Sequence, residues 1–95
     1  GEEKIFALRV RGDSMIDDGI LDGDFVFVRQ QTTADAGAVV VVMIDGETTL
    51  KRYFPEGDRV RFQPANATMK PIVLTKEAAQ QVELIGVVVG VFRRF

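Results

Sequence analysis

Ser14 and Lys51 are the residues of this chain whose types could combine into hydrolytic chemistry. A serine hydroxyl is a poor nucleophile without a base to take its proton. The chain contains no histidine and no cysteine, which removes Ser-His-Asp triads, thiol nucleophiles, disulfides and most zinc sites together. Hydrolysis here must therefore draw on Ser, Thr, Lys, Asp, Glu or Tyr. Ser14 follows Gly12 and Asp13 at the abrupt end of an apolar strand, where a sharp turn would expose its hydroxyl and leave nearby backbone amides free to face an oxyanion. Gly-Asp-Ser is more commonly ordinary turn chemistry. The natural base is a lysine held neutral, and of Lys4, Lys51, Lys70 and Lys76 only Lys51 lies inside a well-marked strand. A strand lysine more often points to solvent from a sheet edge.

Asp13, Asp17, Asp18 and Asp22 around Gly19 invite a calcium-loop reading, which fails on register. With Gly19 at the sixth position, Ser14 stands first, Ile16 third and Phe25 twelfth, where oxygen ligands are required. No metal and no cofactor are expected, and the acidic stretch reads as a solvated, turn-rich loop. Met15, Met43 and Met69 read as core or gap-filling residues. Arg93-Arg94 reads as a solvated end.

The elements that must position these residues are mostly β. Phe6 to Val10 alternates apolar and polar residues, and Phe25 to Arg29 follows an Asp22-Gly23-Asp24 turn. Ala38 to Ile44 and Glu47 to Phe54 flank Asp45-Gly46, a pair suited to a type I′ hairpin because both turn positions need positive φ. Pro55 to Asp58 predicts a turn into Arg59 to Gln63. Ile72 to Leu74 is a short strand and Lys76 to Gln80 a single helical turn. Val82 to Phe92 is a long apolar strand interrupted by Gly86 and Gly90.

Composition sets the broad class. With 46% hydrophobic and 27% charged residues among 95, the chain can bury one core, and residues 1–95 are expected to form one domain. Twelve basic against fourteen acidic side chains, without a basic cluster beyond Arg93-Arg94, disfavour nucleic-acid binding by this segment. The longest apolar run, Ala38 to Ile44, is far short of a membrane helix, and no basic-then-apolar signal peptide opens the chain. A soluble cytoplasmic protein without membrane partners is expected. A chain opening on Gly1 suggests a fragment or a processed product.

Gly12-Asp13-Ser14-Met15 with Gly19-Ile20 and Asp22-Gly23-Asp24, followed by Thr49-Leu50-Lys51-Arg52, resembles the self-cleaving Ser-Lys domains of the LexA repressor family. The resemblance covers nearly the whole chain. The Ser14 to Lys51 interval matches that family's nucleophile-to-lysine interval, and Pro64-Ala65-Asn66 and Lys70-Pro71-Ile72-Val73 resemble its downstream segments. It implies a compact β-fold of twisted antiparallel sheets and hairpins, Ser14 as nucleophile, Lys51 as general base, and the Asp13 and Ser14 backbone amides as oxyanion donors. It further implies latent self-cleavage of an Ala-Gly bond, provoked by a RecA filament on single-stranded DNA in the SOS response to DNA damage. Operator binding would belong to an N-terminal domain outside this chain, and the cleavage segment would lie upstream of Gly1. Ala36-Gly37 falls in a loop and is not expected to be the scissile bond.

The same resemblance implies a homodimer through the C-terminal strand, where Val87, Val88, Val89, Val91 and Phe92 exceed what one face of a small sheet hides. UmuD-type polymerase subunits and phage repressors share these motifs and stay open as alternatives, as does a non-catalytic dimerisation module. Type I signal peptidases use the same dyad but typically carry Pro soon after Ser-Met and a membrane anchor; Ile16 follows here.

Overall fold

The computed structural model describes residues 3–95; Gly1, on which the fragment reading rests, lies outside the described residues. The fold is mostly antiparallel β. Seven strands, β1 (Ile5–Arg9), β2 (Phe25–Gln30), β3 (Val39–Ile44), β4 (Glu47–Glu56), β5 (Arg59–Gln63), β6 (Ile72–Thr75) and β7 (Glu83–Phe92), form one sheet in the order β1-β2-β7-β3-β4-β5-β6. A single turn of helix, α1 (Lys76–Ala79), is capped by Thr75, whose hydroxyl accepts from the Ala78 amide.

The β3–β4 hairpin turns at Asp45-Gly46 with φ of 52° and 78°, the left-handed pair that a type I′ turn requires. Between β4 and β5 the turn is tighter than the sequence suggests. Pro55 and Glu56 stay in the strand opposite Val60 and Arg59, and only Gly57 and Asp58 form the loop. Proline is tolerated at 55 because β3 covers β4 only as far as Arg52, leaving Pro55 no ladder bond to break on that side.

The middle strand, β3, is buried on both faces. Val41 packs with Val26, Val28, Leu50, Met15, Val10 and Ile20 in one cluster, whereas Val40 and Val42 pack with Phe62 in another. This explains the unbroken apolar run of β3, since a strand covered on both faces loses the polar half of its alternation. Each glycine of β7 sits beside a bulge. Ile85 is the extra residue where β7 meets β3, and Val89 where it meets β2.

Gly86 pairs with both Gln30 and Val41, and a Cβ there would lie 2.4 Å from the Arg29 carbonyl oxygen. Because backbone on the neighbouring strand cannot move aside cheaply, Gly86→Ala is expected to destabilise the protein by at least about 2 kcal/mol. Urea unfolding would read this as a lower midpoint; an unchanged midpoint would refute the close-approach explanation.

Met15 meets its expectation at 1% exposure, but Met43 and Met69, at 36% and 41%, lie on the surface. Of the two terminal arginines, Arg94 is exposed as expected and Arg93 departs from its reading. Arg93 is no solvated end: its guanidinium grips the buried Asp24 carboxylate through two 2.7 Å hydrogen bonds and also donates to the Gly19 carbonyl. Asp24 accepts from the Leu21 amide as well, and the Arg93 contact, followed by that amide, holds its carboxyl below the usual range. The C-terminal end of β7 is thereby tied to the loop that carries Ser14.

Candidate active site

Ser14 sits in the turn between β1 and a short 3₁₀ turn, Ile16–Asp18, that ends at Gly19 in left-handed conformation. Several contacts pin this loop. The Val10, Met15 and Ile20 side chains are buried in the core. The Gly12 amide donates to the Asp22 carboxylate at 2.7 Å, the Val10 amide to the Asp24 carbonyl at 2.8 Å, and the Gly23 amide to the Val10 carbonyl at 2.8 Å. Asp13, Asp17, Asp18 and Asp22 are exposed, as a solvated loop requires, and two of them also tie the loop to its surroundings: Asp17 accepts from the Ala67 amide and Asp18 pairs with Arg52 at 2.9 Å. Among the described residues no cluster of three or more acidic side chains could hold a metal ion. With Met15 driven into the core, the neighbouring Ser14 is left half-buried at the surface of a cleft of about 230 Å³ lined by Leu8, Arg9, Arg11, Thr48, Thr49 and Leu50.

Lys51 reaches the same place through the register of the hairpin. In a two-residue hairpin the flanking pair Ile44 and Glu47 is hydrogen-bonded, and pairs alternate outward from it, so Leu50, opposite Val41, points its carbonyl away from β3. On that outer side β5 covers only Arg52 to Glu56. The Leu50 carbonyl is therefore a strand acceptor with no strand partner. Two donors fill it: the Ser14 hydroxyl at 3.3 Å and the Lys51 Nζ at 3.2 Å. The two functional groups converge on one oxygen, and the structure shows no hydrogen bond directly between them.

Lys51 is 8% exposed and its Nζ donates also to the Thr49 hydroxyl at 2.6 Å. It has no carboxylate partner among the described residues. Desolvation by burial lowers its pKa from the ordinary lysine value. A lysine in this state is closer to serving as a neutral base than a solvated one, which is the opposite of the exposed-edge use of strand lysines.

Among the described residues neither the Asp13 nor the Ser14 amide donates a hydrogen bond. Both stay available. Thr49 and Asn66 are contacts that sequence reasoning passed over as functional residues. Thr49 had a signal, since it lies two residues from Lys51 and strand neighbours at that spacing share a face. Asn66 had none beyond its place in the Pro64-Ala65-Asn66 segment, because its partner, the Asp13 carbonyl, is remote in sequence. Gly37 donates to the Tyr53 carbonyl and accepts from Arg52, so the Ala36-Gly37 pair lies in an ordered loop.

Residues 1–89 match the model of the "Peptidase S24-like" family. The chain is 55% identical over 91 residues to the LexA repressor of Myxococcus xanthus, covering 96% of this chain and 41% of that protein. It is 53% identical over 94 residues to the LexA repressor of Sorangium cellulosum, covering 99% of this chain and 41% of that protein. Against the LexA repressor of Geobacillus kaustophilus identity is 50% over 96 residues, covering 100% of this chain and 44% of that protein. The chain thus spans about two fifths of the length of the curated relatives it matches.

Proposed function

From the premise that this chain belongs to the Peptidase S24-like family, we propose that residues 1–95 are the catalytic and dimerisation domain of an SOS-response repressor, a latent Ser-Lys self-protease. The observation that carries the reading is the convergence of the Ser14 hydroxyl and the buried Lys51 amine on the Leu50 carbonyl. In the proposed reaction the neutral Lys51 amine takes the Ser14 proton as Oγ attacks the carbonyl carbon of an Ala-Gly bond. The Asp13 and Ser14 amides receive the oxyanion. Collapse releases the new glycine amine, which leaves with the proton from the Lys51 ammonium. A water then attacks the acyl-serine, again with Lys51 as base, and restores the Ser14 hydroxyl.

The substrate segment needs an extended backbone to reach this site. Thr48 to Leu50 offer an uncovered stretch of strand edge, and an incoming strand could pair there beside Ser14. In the intact repressor that segment would be the upstream linker, docking would be promoted by a RecA filament on single-stranded DNA, and operator DNA would be held by a separate N-terminal domain. The direct test is to incubate the chain with a linker-derived peptide containing Ala-Gly and analyse the products by mass spectrometry. Cleavage at that bond is expected; an intact peptide even at alkaline pH would overturn the reading.

The dimer proposal rests on the far end of β7. That strand runs past β3, which pairs with it only as far as Val87, so residues 88–92 have one uncovered edge. Val89, Val91 and Phe92 are exposed there, and Phe25 and Phe27 extend the apolar surface across β2. Equilibrium sedimentation is expected to give a dimer mass at tens of micromolar, and Val89→Glu with Val91→Glu to give monomers. A wild-type monomer at those concentrations, or dimers indifferent to both charges, would refute this interface. No helix among the described residues is long and apolar enough to cross a membrane; a cytoplasmic setting belongs to the proposal.

A further inference from the structure

The Asp13 carbonyl and the Ser14 amide belong to one planar peptide group, so whatever holds the first aims the second. Asn66 holds it. Its side-chain Nδ2 donates to the Asp13 carbonyl at 2.9 Å from a residue only 8% exposed, and its Oδ1 is in turn fixed by the Thr68 amide at 2.9 Å and the Thr68 hydroxyl at 2.7 Å. The same loop grips the nucleophile turn twice more: the Asp17 amide donates to the Ala65 carbonyl at 2.7 Å, and the Ala67 amide to the Asp17 carboxylate at 3.1 Å.

We propose that Asn66 is a positioning residue for the oxyanion site, acting through the Asp13–Ser14 peptide. This rests on the Ser-Lys reading above. Two physical effects combine. The first is orientation: in a trans peptide the carbonyl and the following amide point in opposite directions, so anchoring the Asp13 oxygen inward directs the Ser14 N–H outward. The second is polarisation, since a hydrogen bond accepted by a carbonyl strengthens the donor on the same peptide in a low-dielectric setting. Ala65 and Ala67 lack any side-chain donor and the Thr68 hydroxyl is spent on Asn66, so among the described residues the Asn66 amide is the loop's side-chain contact with the Asp13 oxygen.

The test compares wild type, Asn66→Asp and Asn66→Ala in cleaving the linker peptide. Asn66→Asp keeps the shape and the oxygen that Thr68 donates to but removes the donor. The expected result is a kcat lower by roughly 10- to 100-fold, with KM changed less than about threefold. Affinity for a peptide boronate, whose tetrahedral adduct presents an oxyanion, should fall in parallel with kcat, whereas the climb of rate with pH should be retained because Lys51 is untouched. A purely structural role would not single out the boronate and kcat while sparing KM. A folded variant with wild-type kcat, or a loss confined to KM, would overturn the proposal. So would loss of the folded circular dichroism signal by both variants, which would make Asn66 a folding residue. If the wild-type chain itself left the peptide intact, the Ser-Lys reading would fail instead, a distinguishable result.

Discussion

Ser14→Ala and Lys51→Ala are each expected to slow cleavage of the linker peptide by at least about 1000-fold, and the double variant to be little worse than either one. The reason is mutual dependence. The Ser14 hydroxyl is inert unless a base removes its proton, and the Lys51 amine has nothing to activate if the hydroxyl is gone. Both groups donate to the Leu50 carbonyl, so the reactive pair would form when the hydroxyl leaves that oxygen and donates to a neutral amine. Steady-state rates on the four proteins check the non-additivity. Wild-type activity in Lys51→Ala would sink the mechanism, because no histidine exists to substitute for the lysine. Losses in the single variants that multiplied in the double one would show two independent contributions rather than one dyad.

The second large effect is the pH dependence. With a pKa near ~10.4, about one lysine in 2500 is neutral at pH 7, and the neutral fraction grows about tenfold for each pH unit below that value. Burial lowers the pKa of Lys51, so the rate is expected to climb from pH 7 and level off below the free-lysine value. A histidine base would level off near neutrality. A rate flat between pH 7 and pH 10 would refute a Lys51 base that titrates in that range.

Stability should move with the same proton. At pH values between the lowered folded-state pKa and the ordinary unfolded one, the unfolded chain binds the extra proton, so stability rises as pH increases across that window. At lower pH both states carry the ammonium and the folded state bears its burial cost in full. Lys51→Met should remove this rise from denaturation midpoints measured across alkaline pH. Under the proposed function, a docked cleavage segment would cover the site and desolvate the amine further.

Much of this architecture could be read from neighbouring residues alone. Asp45-Gly46 announces its hairpin because the turn type demands positive φ at both places, and alternation in Arg59–Gln63 matches β5 residue for residue. Gly86 and Gly90 mark the places where β7 bulges. Composition excludes histidine and cysteine chemistry outright, and the resemblance carried by the segments around Ser14 and Lys51 implies the pair.

Other features belong to no local stretch of sequence. Pro55 reads as a turn residue because nothing nearby reveals that β3 stops short of it. Arg93 resembled a loose end until the fold brought it to Asp24. Neither the Asn66 contact with the Asp13 carbonyl nor the exposure of Met43 follows from its neighbours. The sequence by itself determined most of the strands and the Asp45-Gly46 turn, since these depend on conformational preferences among adjacent residues, and its resemblance to a family supplied the candidate nucleophile and base. Only the tertiary structure decided how the two groups meet: β5 pairs with β4 no further back than Arg52, which strips the Leu50 carbonyl of a strand partner and leaves it to the Ser14 hydroxyl and the Lys51 amine. That offset is the joint outcome of pairings among segments far apart in the chain, and no window of neighbouring residues encodes it.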